Sequence, residues 1–120
     1  MNRKRIIMLV TVLLLLSVIT AGAEEKFGVK VYGGAKYDTA VSKNVSESLS
    51  INAACYRTND SVAKVAEFYK KQPGIKYTGG EKVSAGFSNG NVDVTIQNPW
   101  INMMTGKMMT DTLITIVKQE

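Results

Sequence analysis

The chain has no histidine, one cysteine, one tryptophan and two prolines in 120 residues. The missing histidine removes the commonest general base and the commonest neutral metal ligand. It also excludes Ser–His and Cys–His nucleophilic pairs. A single cysteine, Cys55, forbids an internal disulfide, the staple of many small exported domains. The fold must therefore rest on its core. Cys55 sits in the apolar run Ala53-Ala54-Cys55-Tyr56, which suits a buried, inert thiol; an intermolecular bridge is the alternative.

Strong charge of one sign is lacking too. The formal net charge is +5, but Arg3, Lys4 and Arg5 belong to a segment expected to be removed. Beyond it, twelve Lys/Arg face ten Asp/Glu, a net of about +2. This pattern gives no argument for nucleic acid. Gly33-Gly34-Ala35-Lys36 lacks the spacing of a phosphate-binding loop and the Ser/Thr after Lys. Asp60 and Glu67 read as cap and surface residues rather than a catalytic pair. No metal, cofactor or catalytic residue is expected, and the chain reads as non-enzymatic.

What is present begins with an export signal. Asn2-Arg3-Lys4-Arg5 is basic, Ile6 to Ile19 is apolar apart from Thr11 and Ser17, and Ala21-Gly22-Ala23 is a small-residue cleavage site. A permanent membrane anchor would need roughly 20 apolar residues, more than this run supplies. Residues 1–23 therefore read as a cleavable signal peptide and residues 24–120 as a single periplasmic or secreted domain. If uncleaved, the signal is its only expected contact with a membrane. A domain of this size buries roughly two-thirds of its unfolded surface.

Val29 to Tyr32 alternates as a short strand before Gly33-Gly34. Asp38 to Leu49 carries Val41, Val45 and Leu49 at four-residue spacing, a helix with Asp38 or Thr39 as cap; a loop entering a strand is the alternative. Ile51 to Arg57 reads as a strand. Ser61 to Gln72 reads as a helix, with Val62, Val65, Ala66 and Tyr69 on one stripe and Pro73-Gly74 as its stop. Ile75 to Thr78 alternates, and Gly79-Gly80 reads as a turn. Asn89-Gly90 between Lys82–Ser88 and Asn91–Gln97 is a strong hairpin signal. A turn there pairs Ser88 with Asn91 and puts Val83, Ala85, Phe87, Val92, Val94 and Ile96 on the core face. Leu113 to Val117 is apolar on both faces, as in a covered central strand. The expected class is α+β: a mostly antiparallel sheet with one or two helices packed on one face.

The unusual stretch is 98–109. It holds the only tryptophan and, once Met1 and Met8 leave with the signal, every methionine. Trp100, Met103, Met104, Met108 and Met109 are the candidate interaction surface. Met clusters make adaptable binding surfaces, and thioethers are soft Cu(I) ligands. Packing of a hairpin over the sheet, turning at Thr105-Gly106, is the competing use. Two adjacent pairs suit copper poorly, because neighbours on an extended chain point to opposite faces. Tyr32, Tyr37 and Tyr77 are candidates to line a shallow pocket.

Tyr56-Arg57-Thr58-Asn59-Asp60-Ser61, followed by a helix closing on Phe68-Tyr69, resembles a pattern in small exported bacterial proteins. Those proteins often carry an upstream Tyr-Pro-Gly-Ala, which is similar to Tyr32-Gly33-Gly34-Ala35 with Gly in place of Pro. The closing Asp111 to Lys118 is similar as well. These motifs are caps, a helix stripe and a final strand, so the resemblance implies architecture and no catalytic residue. The functional expectation is an exported binding or interaction module for an unknown protein or a small apolar ligand. A Cu(I)-handling protein using Met103 to Met109 is the alternative.

Overall fold

The structure is a computed structural model that describes residues 24–80 and 82–120; the expected signal, residues 1–23, lies outside them. β1 (Glu25–Lys26) and β2 (Val29–Lys30) pair as a small hairpin. β3 (Lys36–Tyr37), α1 (Thr39–Leu49), β4 (Asn52–Thr58) and α2 (Val62–Lys70) follow. Then come β5 (Lys76–Gly80), β6 (Ser84–Asn89), β7 (Val92–Gln97), β8 (Trp100–Asn102), β9 (Lys107–Met109) and β10 (Thr112–Lys118). Six strands form one antiparallel sheet in the order β3-β4-β10-β7-β6-β5. The fold is α+β with a mostly antiparallel sheet, and β10 holds the central place its two apolar faces require.

The first face of the sheet carries the larger core. Ala54 and Tyr56 of β4, Ile114 and Ile116 of β10, Val92, Val94 and Ile96 of β7, and Ala85 and Phe87 of β6 all point there. α2 lies on them through Val62, Val65, Ala66 and Tyr69. Ser61 starts this helix, its Oγ accepting from Lys64 N at 3.1 Å, which satisfies one of the orphan N–H groups of the first turn. Each large apolar side chain so buried contributes about 1.5–3 kcal/mol. The Tyr69 hydroxyl donates to the Lys30 carbonyl at 2.8 Å and ties β2 to the same core.

The helix expected over Asp38 to Leu49 forms, spanning Thr39–Leu49 with Asp38 as its cap. Asp38 Oδ1 accepts from Val41 N at 2.9 Å, and Ser50 closes the helix in the left-handed region. α1 does not join α2. Val41 packs with Cys55 and Leu113, which point to the second face of the sheet. One helix therefore covers each face. α1 also flanks the edge of β4 that short β3 leaves open. Ser42 Oγ accepts from Cys55 N at 2.7 Å and donates to Cys55 O at 3.3 Å. Ser46 Oγ does the same for Ala53, at 3.1 and 3.0 Å. Two hydroxyls one helical turn apart thus stand in for a neighbouring strand.

The β6–β7 hairpin corrects the expected pairing while keeping its faces. Asn89 pairs with Val92 and Phe87 with Val94, so the loop is Gly90-Asn91 rather than Asn89-Gly90. Gly90 has φ +62, while Asn89 stays outside the positive-φ region. A turn with glycine at its first central position suits this backbone. The partners shift by two residues, which preserves the inward parity of Phe87, Val92, Val94 and Ile96. Val83 precedes β6 and is exposed, not core. Gly79 and Gly80 are the end of β5, after an irregularity at Thr78, and not a turn. Gly80 (φ +114) passes so close to the Ser84 carbonyl that no Cβ fits.

The buried tyrosines set an alkaline limit. Tyr32 donates to Asp60 Oδ2 at 2.5 Å, and that bond, with burial, pushes it up to about 12. Burial, then a hydrogen bond to Glu24, raises Tyr56; burial raises Tyr69. All three are held protonated in the fold, so their contribution is complete below the unfolded tyrosine range. It falls between about pH 10 and about pH 12 as the unfolded chain alone ionises. Urea midpoints should begin to decline at about pH 9, where the Cys55 thiol of the unfolded chain ionises while the buried thiol does not, and fall more steeply above about pH 10. In a Tyr37→Phe/Tyr77→Phe background, which removes the two exposed tyrosines, tyrosinate absorbance should appear together with unfolding, and Tyr32→Phe should blunt the decline. Tyrosinate that forms freely in that variant while it is still folded would contradict this.

Candidate functional site

On its second face the sheet is only partly covered, by α1 on one side and the β8–β9 hairpin on the other. The hairpin is the connection between adjacent β7 and β10, folded back over that face. Trp100 and Met109 are directly opposite each other, and one residue along so are Ile101 and Met108. Strand alternation sends the first pair inward and the second outward. Trp100, 4% exposed, packs with Val41, Cys55 and Leu113, and half-buried Met109 and Val45 pack beside it. The candidate surface residues are thus divided. Trp100 and Met109 are packing residues, while Met103, Met104 and Met108 are exposed. Met104 lies in the hairpin turn, away from the lining described next.

Between the hairpin and α1 lies a groove of about 560 Å³. Val45 and Leu49 of α1 form one wall, and Pro99, Trp100, Ile101, Met103 and Met108 form the other. Its floor is Leu113 and Thr115 of β10 with Thr95 and Gln97 of β7, where Thr115 faces Thr95 and Leu113 faces Gln97. Leu49 (64%), Ile101 (54%), Met103 (76%) and Met108 (58%) are left in solvent. Among the described residues, no charged side chain lines it.

A polar clamp holds the walls. Arg57 Nε donates to Asp111 Oδ2 at 2.8 Å and Nη1 to Asp38 Oδ2 at 3.2 Å. Asp111 Oδ1 accepts from Trp100 Nε1 at 3.0 Å, and the guanidinium lies 5.1 Å from the Trp100 ring. Asp38 caps α1. One arginine thereby links the start of α1 to the root of the hairpin. Bonding to both aspartates raises the Arg57 pKa, the Asp111 bond foremost, with burial opposing. A second hollow of about 480 Å³ beside β3 is lined by this clamp and Lys36. Its two cations face two aspartates, and the arginine is already committed, so it offers a ligand little net charge.

Cys55 is fully buried, with its thiol 3.8 Å from Thr115 Oγ1, and burial foremost pushes its pKa up. A buried thiol so raised is a poor nucleophile. Tyr37 and Tyr77 border different hollows, and Tyr32 is buried, so the three tyrosines do not share a pocket. Sequence reasoning missed Val45, Leu49 and Ile101 as walls and Thr95, Gln97 and Thr115 as floor. The four-residue spacing of Val41, Val45 and Leu49 was the signal for one wall; Thr95 and Gln97 alternate with the core-facing Val94 and Ile96, whereas Thr115 lies in the 113–117 run read as apolar on both faces. No family model matches this chain, and neither a curated protein nor a solved structure matches it.

Proposed function

We propose that this protein is an exported, non-enzymatic binding module, periplasmic or secreted, working through the groove between α1 and β8–β9. The observation that carries the reading is the exposure of Leu49, Ile101, Met103 and Met108 around an uncharged hollow. Contiguous apolar surface of this kind marks ligand or partner sites. The absence of histidine and the burial of the only thiol support a non-enzymatic role. The secretory pattern of residues 1–23 supports export, as does the resemblance to small exported bacterial proteins. Glu24, which cleavage would place first, is itself held: its carboxylate accepts from Tyr56 Oη at 3.0 Å and its carbonyl from Val31 N at 2.8 Å. Cleavage after Ala23 would leave these contacts intact.

Cu(I) handling is the second reading, favoured by the presence of Met103 and Met108 on one wall. Two thioethers make an incomplete soft site, and Met109 packs into the core.

Native mass spectrometry of protein from the exported fraction tests both. The expected mass is that of residues 24–120, with an organic adduct that disappears in an Ile101→Ser/Met103→Ser variant. A copper-sized increment lost in Met103→Leu/Met108→Leu would favour the second reading. A mass retaining residues 1–23 would overturn cleavage. Adducts unchanged by both variants would overturn the groove.

A further inference from the structure

The groove has two kinds of surface, and together they describe a ligand. Its walls are aliphatic and thioether: Leu49, Ile101, Met103 and Met108. Its floor is neutral and, apart from Leu113, hydrogen-bonding: Thr95 faces Thr115 across the strands, and Gln97, next on the same face, lies opposite Leu113. That shelf continues beyond the groove, because Ser84 pairs with Gln97 and Gly86 with Thr95. Charged residues make up 21% of the chain, yet the eleven lining positions contain none. A charged occupant would give up hydration beside an apolar wall with no counter-charge, which is costly.

Resting on the reading of this groove as the binding site, we propose that it takes a neutral single-chain amphiphile. The aliphatic chain lies along the Leu49, Ile101, Met103 and Met108 walls, and the uncharged polar end lies on the Thr95–Gln97–Thr115 shelf. Hydroxyl and amide side chains both donate and accept, which matches hydroxyl, ether or amide groups of such a headgroup. Flexible Met side chains adapt to a chain of no fixed shape. The volume of about 560 Å³ falls in the small-molecule range, roughly 300–1,000 Å³. A polypeptide partner would meet a hydroxyl shelf where a protein interface normally carries its apolar centre.

Trp100 is the only tryptophan and lines the groove, so its emission reports from this place. The exported protein is titrated below the micelle concentration with three probes of equal chain length: octyl glucoside, octyl sulfate and octyltrimethylammonium. An uncharged apolar peptide is the fourth probe. The expected result is a saturable Trp100 response to octyl glucoside, at least about tenfold tighter than to either ionic probe, a gap of about 1.4 kcal/mol. Ile101→Ser/Met103→Ser should weaken it by about tenfold or more with unchanged circular dichroism, since both side chains are exposed. Equal response to ionic probes would overturn the neutral headgroup and leave the groove a binding site. Response to the peptide alone, lost in the variant, would replace the amphiphile with a protein partner. Silence of Trp100 with all four probes would overturn both readings.

Discussion

Trp100→Ala should destabilise the protein by about 3–5 kcal/mol, the usual range for deleting a large buried aromatic side chain. The ring is 4% exposed and packs with Val41, Cys55 and Leu113. It supplies the face on which Arg57 rests and the N–H that Asp111 accepts. Removing it leaves a cavity on the second face, takes a donor from Asp111 and frees the root of the hairpin. The groove would lose a wall without losing any of its exposed side chains. Trp100→Phe keeps most of the volume and drops the indole N–H, so about 1–3 kcal/mol is expected. Met103→Ser, at a site 76% exposed, should stay within about 0.5 kcal/mol of the parent. Urea unfolding followed by circular dichroism measures all three. A Trp100→Ala cost as small as that of Met103→Ser would mean that the hairpin is not packed through its tryptophan.

That contrast also shows where sequence reading reached its limit. α2 was legible because its determinants are local: Ser61 caps it, one stripe gathers Val62, Val65, Ala66 and Tyr69, and Pro73 follows at once. β10 was legible because Leu113, Ile114, Ile116 and Val117, interrupted only by Thr115, suit a strand covered on both sides. The hairpin faces were legible, but the partners were not. A two-residue shift keeps every side chain on its face, so the pattern cannot choose between registers. The choice came from Gly90, whose positive φ places the loop one residue later. The Met-rich segment drew attention by composition, which carries no direction. Only the register of β8 on β9 separates Trp100 and Met109, turned inward, from Ile101 and Met108, turned outward. The placement of α1 on the second face was hidden for a related reason. Its stripe reports an apolar contact but not which face of the sheet supplies it.

Ser42 and Ser46 are the extreme case, since serines on a helix read as solvent contacts and here they close a sheet edge. Ser42 is 2% exposed, and its hydroxyl holds both backbone groups of Cys55. Ser42→Ala leaves the Cys55 N–H without its partner, while Cys55 O still accepts from Asp38 N at 2.9 Å. One buried orphan donor costs about 1–3 kcal/mol. Ser46→Ala orphans the N–H and carbonyl of Ala53, where the site is less buried and water can partly substitute, so a smaller loss is expected. The double variant should exceed either single loss and add a second phenotype. An open β4 edge offers unpaired groups to another chain, the usual route to edge-to-edge association. Urea unfolding gives the energies, and size-exclusion chromatography against concentration detects association. Ser42→Thr, which keeps the hydroxyl, should retain more of the stability if the hydrogen bonds rather than the packing are responsible. A double variant that is as stable and as monodisperse as the parent would show that α1 covers this edge by contact alone.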